Sequence, residues 1–281
     1  EIENSLIDSL GIYMDVNQNE LSILNSQFSN ITNNGFDIYG NDLEIEIENS
    51  QFTNIDNRAF NFSGSDINLD ILETHFTSTQ GIQLNSDTSS TNVQSCHFND
   101  QTNDALNISG SQATLTVNES EIMGGSNEGI DISAFNSNVL LTNSTFDSNY
   151  RAYYSNNNNI VLNADSILVS ANEYGFRSQG SYSTSTIFDS QFIGNTGNAI
   201  ESNSQYSHVN LEKVIIKENN SNAIYMSGDA YAILNNCVIH DNNGIGLRTS
   251  GHQIVNYSTL FNNSGRGLEG NSSIELKNSI I

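Results

Sequence analysis

The chain has 281 residues, 32 acidic against 8 basic, a formal net charge of −24 and 36% hydrophobic residues. That balance excludes nucleic acid as a partner, since phosphate contact needs a basic stripe. No apolar run reaches the roughly 18 residues of a spanning helix, so membrane attachment is expected only through regions outside this segment. The chain also has no proline, which fits strands whose backbone N–H groups are nearly all paired.

Taken in order, the chain repeats one unit: an apolar strand, a small residue, an apolar anchor, a polar turn, then Gly or Ala opening a second short strand. The anchors are Ile7, Phe28, Phe52, Phe76, Phe98, Ile122, Phe146, Ile167, Phe192, Ile216, Ile239, Leu260 and Ile281, at intervals of 21 to 25 residues. A period near two dozen, made of strands and polar turns, marks a solenoid. Two residues before each anchor stands a small side chain, from Ser5 and Ser26 to Ser258 and Ser279, with Asp165 as the exception. Five before it stands an apolar one, from Ile2 and Ile23 to Val255 and Leu276. Asparagine recurs three before it, at Asn4, Asn25, Asn49, Asn143, Asn236 and Asn278.

The second strand opens at Gly35, Ala59, Gly81, Ala105, Gly129, Ala152, Gly175, Ala199, Ala223, Gly244 and Gly267. The next residue is apolar and points inward. The one after points outward: Asp37, Asn61, Gln83, Asn107, Asp131, Tyr154, Arg177, Glu201, Tyr225, Gly246 and Glu269. Alternation such as Leu43-Glu44-Ile45-Glu46-Ile47 is the period-two signature of half-buried strands. Like residues recurring at like positions choose stacked coils over an antiparallel sandwich. The expected fold is all-β: a right-handed single-stranded parallel β-helix of about twelve coils, roughly 58 Å long at the strand spacing. It is expected to be one domain over residues 1–281, with three strand stacks. Both ends fall inside the repeat, so the chain is expected to be a segment of something longer. Cys96 and Cys237 share the small column six coils apart, roughly 29 Å. That is beyond disulfide reach, so they read as free buried thiols.

The repeat resembles that of pectin-degrading enzymes and of many bacterial surface proteins. Phe146-Asp147-Ser148-Asn149 and Phe192-Ile193-Gly194-Asn195 also resemble the F-x-x-N element of chlamydial polymorphic outer-membrane proteins. The partner element of that family, G-G-A-I, has its nearest forms in Gly197-Asn198-Ala199-Ile200 and Ser221-Asn222-Ala223-Ile224, where the second glycine is missing. The resemblance implies a pectin-lyase-like fold and an adhesin or autotransporter passenger at the cell surface.

Eight of the eleven tyrosines lie between Tyr150 and Tyr231, with Arg151 and Arg177 among them. The column Asp131, Tyr154, Arg177, Glu201 and Tyr225 is the candidate binding strip. Aromatic faces beside charged hydrogen-bonding groups suit a polysaccharide or a neighbouring cell's glycan lying along the axis; a plain cross-coil ladder is the structural alternative. Ser155, Ser178 and Ser202, with Asp165, suggest a locally polar interior. His75, His97, His208, His240 and His252 read as surface side chains scattered over different coils.

Catalytic sets are absent. The hydrolases of the resembled group carry N-T-D, a D-D pair, G-H-G and R-I-K, none of which occurs here. A lyase-type arrangement is imitated only loosely by Asp131, Glu201 and Arg177. No Walker loop, zinc spacing or G-x-S-x-G occurs. No interval leaves room for a long cleft-forming loop. The leading expectation is a non-catalytic segment of a large secreted or cell-surface protein, without cofactor or metal. The alternatives are a polysaccharide lyase or hydrolase of the same fold, and a calcium-stabilised spacer.

Overall fold

The computed structural model describes residues 1–281, and every regular element is a β-strand. No helix is long and apolar enough to cross a membrane. Twelve anchor strands, from Leu6–Asp8 to Thr259–Phe261, form one parallel sheet in which each pairs with its equivalent one coil on. The other two walls belong to a 21-stranded parallel sheet. In the early coils they are one bent strand, as in Phe36–Glu48 and Phe60–Leu72. Later they separate, as in Arg151–Ser155 and Val161–Asp165. The early bend runs over Gly40 and Gly64, where a Cβ on Gly64 would lie 1.6 Å from the Gly40 carbonyl oxygen. Only glycine allows that approach. The expected parallel β-helix is therefore the observed architecture.

The corner entering the anchor wall explains two sequence columns. The residue three before each anchor is left-handed in every coil, from Asn4 at φ 50° to Asn278 at φ 48°. Asparagine tolerates that conformation best after glycine. The small residue that follows is buried: the Ser26 hydroxyl donates to the Leu24 carbonyl at 2.8 Å, while the Ser26 N–H donates to Ser50 Oγ at 3.1 Å. Cys96 and Cys237 fill the same place as free thiols, and burial pushes both up to about 11.

Inside, the anchors stack. Phe28, Phe52, Phe76 and Phe98 lie with ring centroids 4.9, 5.1 and 4.5 Å apart and nearly parallel planes. Phe36 and Phe60 form a second stack edge-on to the first. The anchors are buried from Phe28 to Leu260, whereas Ile281 is 49% exposed. From the seventh coil a second internal column takes over three residues after the anchor: Asn149, Asn172, Asn195, Asn219, Asn242 and Asn263. Each Nδ2 from Asn149 to Asn242 donates to the next Oδ1, at 2.8 to 3.1 Å, and to the carbonyl of an anchor in the preceding coil. The asparagine of the F-x-x-N element is thus an internal ladder.

Two register expectations are corrected. The eighth anchor is Val169, which pairs with Phe146 and Phe192. Ile167 instead occupies the small column, its N–H donating to Ser190 Oγ at 3.2 Å. Asp165 consequently lies on an outward, exposed position opposite Thr142, and is not a buried interruption. In the eleventh coil the strand opens at Gly246 and not Gly244: Leu247 pairs with Ile224 and Arg248 with Tyr225. Arg248 therefore stands in the outward column where Gly246 was expected.

Candidate functional site

The strip Asp131, Tyr154, Arg177, Glu201 and Tyr225 is assembled as expected, each residue in direct register with the next on five successive coils. The corrected register extends it through Arg248 to Glu269. Beside it runs a second column, one residue before the small opener: Asp104, Glu128, Arg151, Tyr174 and Asn198. The opener and the inward residue separate the two columns by three positions, and their side chains meet over the small residue. Asn107 Nδ2 donates to Asp104 Oδ2 at 2.8 Å, and Asn198 Nδ2 to Glu201 Oε2 at 3.0 Å.

Aromatic and cationic groups interleave along this face. The Arg151 guanidinium lies 4.5 Å from the Tyr150 ring centroid and 4.6 Å from that of Tyr154, and Arg177 lies 5.6 Å from Tyr174. One side of Tyr154 is therefore covered by Arg151, so the strip offers less free ring surface than the sequence implied. The Tyr154 hydroxyl donates to Gln179 Oε1 at 2.8 Å. Each arginine also meets a carboxylate: Arg151 pairs with Glu128, and Arg177 Nε lies 3.1 Å from Glu201 Oε1. Glu201, written as an outward residue, is only 6% exposed because Arg177, Asn198 and Asn203 close over it.

The carboxylates at the head of the strip are perturbed. Glu128 is pushed up to about 7, first by burial and then by its hydrogen bond and like charge with Asp104; Arg151 pulls it the other way and is outweighed. Two carboxyl groups that hydrogen-bond each other need a proton between them. Asp131 is pushed up to about 6, first by burial and then by Asp104, against the Ser133 hydroxyl and Arg151. Asp104 and Glu128 were not singled out in the sequence. The available signal was their place immediately before the openers Ala105 and Gly129. No three His, Cys, Asp or Glu side chains are arranged to hold a metal ion.

Of the eight clustered tyrosines, only Tyr150, Tyr154, Tyr174 and Tyr225 belong to this face. Tyr153 is buried inside, Tyr182 and Tyr206 stack on another corner at 5.3 Å, and Tyr231 lies between His208 and His252 on the third wall. The histidines are less scattered than expected, since His75 and His97 also stack, at 4.6 Å. The polar interior is present: Ser155 Oγ donates to Ser178 Oγ at 3.1 Å, and Ser202 is buried one coil on.

The model for the family described as "right handed beta helix region" matches residues 1–146 and 175–281. No curated protein matches the chain. Among solved structures, the periplasmic alginate epimerase AlgG superposes with a TM-score of 0.69, at 12% identity, over 98% of this chain and 76% of that one. A double mutant of AlgG gives 0.70 at 13% identity, over 98% and 77%. The catalytic unit of a GH87 α-1,3-glucanase from Streptomyces thermodiastaticus gives 0.45 at 8% identity, over 98% and 62%. At these identities the likeness is one of fold.

Proposed function

This chain belongs to the right-handed β-helix family, and from that premise we propose that it is a polysaccharide-binding segment of an extracellular or cell-surface protein, adhesin-like in use. The observation that carries the reading is the strip itself, where tyrosine rings and arginine–carboxylate pairs alternate on consecutive coils. Rings supply flat apolar contact, worth roughly 1 kcal/mol each beyond simple burial. Arg177, with Asn198 and Asn203 around the covered Glu201, supplies donors and amide acceptors for sugar hydroxyls. Such sites give weak attachment that becomes firm through multivalency. The fold neighbour named for alginate epimerisation makes a polysaccharide a natural ligand class. After register correction no anchor interval exceeds 24 residues, so no long loop builds a cleft. That favours attachment over turnover. Binding to a glycan array by the intact segment, and its loss in the Tyr154→Ala, Tyr225→Ala double variant, tests the proposal. Equal binding by both would reduce the tyrosines to a ladder.

A second reading has its own observation. Glu128 and Asp131 are raised to about 7 and about 6 beside Arg151, and a carboxyl titrating near neutrality is what a general acid requires. On this reading the strip turns over a polysaccharide. Reducing-end and unsaturated-product assays on a polysaccharide panel decide it. Turnover abolished by Glu128→Gln would replace the attachment reading, and no product from any polymer would remove the enzymatic one.

A further inference from the structure

The outward column carries the same three side chains twice. Tyr154, Arg177 and Glu201 occupy three successive coils, and Tyr225, Arg248 and Glu269 occupy the next three. The ion contact repeats atom for atom: Arg177 Nε lies 3.1 Å from Glu201 Oε1, and Arg248 Nε 3.2 Å from Glu269 Oε1. A guanidinium lies on the tyrosine ring in both, Arg151 over Tyr154 at 4.6 Å and Arg248 over Tyr225 at 5.5 Å. The second set borders a surface hollow of about 250 Å³ that also takes in Ser227, Ser250 and Asn271.

We infer that Tyr225, Arg248 and Glu269 form a second sugar subsite, and that the ligand is an uncharged linear polysaccharide running along the helix axis. The inference rests on the carbohydrate reading of the first set. Equivalent sets three coils apart are separated by roughly 14 Å. A hexose in an extended chain is close in length to one coil rise, about 4.8 Å. Both sets can therefore hold one chain at sugars about three residues apart.

The absence of charge on the ligand follows from how the cations are spent. Arg151 is held against the Glu128–Asp104 carboxyl pair, Arg177 is paired with Glu201 and Arg248 with Glu269. At the second set Glu269 is partly exposed beside Arg248, so that pair offers donor and acceptor side by side, which suits vicinal hydroxyls. It has no surplus positive charge for a carboxylate or sulfate. Arg266 also reaches Glu269, at 3.4 Å, but it is 76% exposed and does not line the hollow. The net charge of −24 opposes the approach of any polyanion.

Titration calorimetry with neutral gluco-, manno- and xylo-oligosaccharides of graded length, and with oligogalacturonates of the same lengths, tests the inference. Wild type is compared with Arg177→Gln, Arg248→Gln and the milder Tyr225→Phe, each first checked for an unchanged circular dichroism melt. For at least one neutral series, affinity is expected to rise about tenfold once the oligomer is long enough to span both sets. Arg248→Gln should remove that step and leave short-oligomer binding at the first set. Oligogalacturonates should bind at least about tenfold more weakly. Long-oligomer affinity unchanged in Arg248→Gln but lost in Arg177→Gln overturns the second subsite and leaves the first. Equal or tighter binding of oligogalacturonates overturns the uncharged ligand. Binding of no oligomer by wild type overturns the carbohydrate reading together with this inference.

Discussion

Glu128 keeps its proton to about pH 7, well above the 4.5 of a free glutamate, because burial and the Asp104 carboxyl outweigh the pull of Arg151. A carboxyl raised on folding favours the folded state while protonated. Its contribution is fully present below the unfolded value and is lost as pH rises through the folded one. Glu128 therefore sets a window from 4.5 to about 7, and Asp131 a window from 3.8 to about 6. Thermal stability should fall between pH 5 and pH 8 (two values bracketing the upper part of both windows). Glu128→Gln should be flatter over that range than wild type in melts followed by circular dichroism. Parallel pH curves for the two proteins would contradict the raised value. Such a group was hard to find from sequence because its position before the opener is filled by unlike residues, Asp104, Glu128, Arg151, Tyr174 and Asn198, so the column has no residue signature. Its perturbation arises first from burial and then from Asp104 on the preceding coil, neither of which is visible along the chain.

The repeat unit was legible because each of its constraints is met by few residue types. Anchors need bulk, the position two before them needs a small or compact side chain, and the corner needs a left-handed residue. Legibility failed where two candidates stood two residues apart, since period-two alternation then keeps both facing inward. Ile167 and Val169 are such a pair; the left-handed Ser166 and the ladder residue Asn172 identify Val169 as the anchor. Gly244-Ile245-Gly246-Leu247 offers two Gly-apolar pairs, and only pairing of Leu247 with Ile224 chooses the second. That two-residue slip hid Arg248, and with it the second Tyr-Arg-Glu set. The same columns yield two predictions. Asn195 donates to the Val169 carbonyl and to Asn219, and accepts from Asn172, with no water in reach because it is fully buried. Asn195→Ala should lose about 1–3 kcal/mol in denaturant unfolding, against under about 0.5 kcal/mol for Asn163→Ala, at an exposed strand position. Equal losses would show the internal ladder to be dispensable. Tyr257 sits left-handed at φ 50° and 55% exposed, between Asn236 and Asn278 in the corner column. Tyr257→Asn should stabilise by about 1 kcal/mol, and a lower melting temperature would show that the ring makes contacts worth more than the strain.

Across the whole molecule, charge is distributed unevenly along the axis. In the early coils Glu20 pairs directly with Glu44, and Glu46 with Asp70, so like charges face each other at the strand spacing. Arg58 is the only basic residue before Arg151. Further along, Arg177 and Arg248 each neutralise a carboxylate of the strip, Arg151 lies against Glu128 beside it, and the asparagine ladder binds coil to coil inside. A solenoid has stability only between neighbouring coils, so such a difference stays local and is not averaged over the molecule. Like charges opposite each other repel most at low ionic strength and are screened as the Debye length shrinks toward about 8 Å near physiological salt. The acidic coils over Leu21 to Leu72 should therefore open more readily than the ladder coils over Asn149 to Asn263 in low salt. Hydrogen exchange followed by mass spectrometry should show protection of the early coils rising with added sodium chloride, while that of the ladder coils changes little. The phenylalanine stacks Phe28–Phe52–Phe76 and Phe36–Phe60 oppose the effect, but stacking is nearly indifferent to salt, so it sets the baseline and not the slope. Uniform protection along the chain at every salt concentration would mean that the stacked acids are fully solvated and that the coils open together.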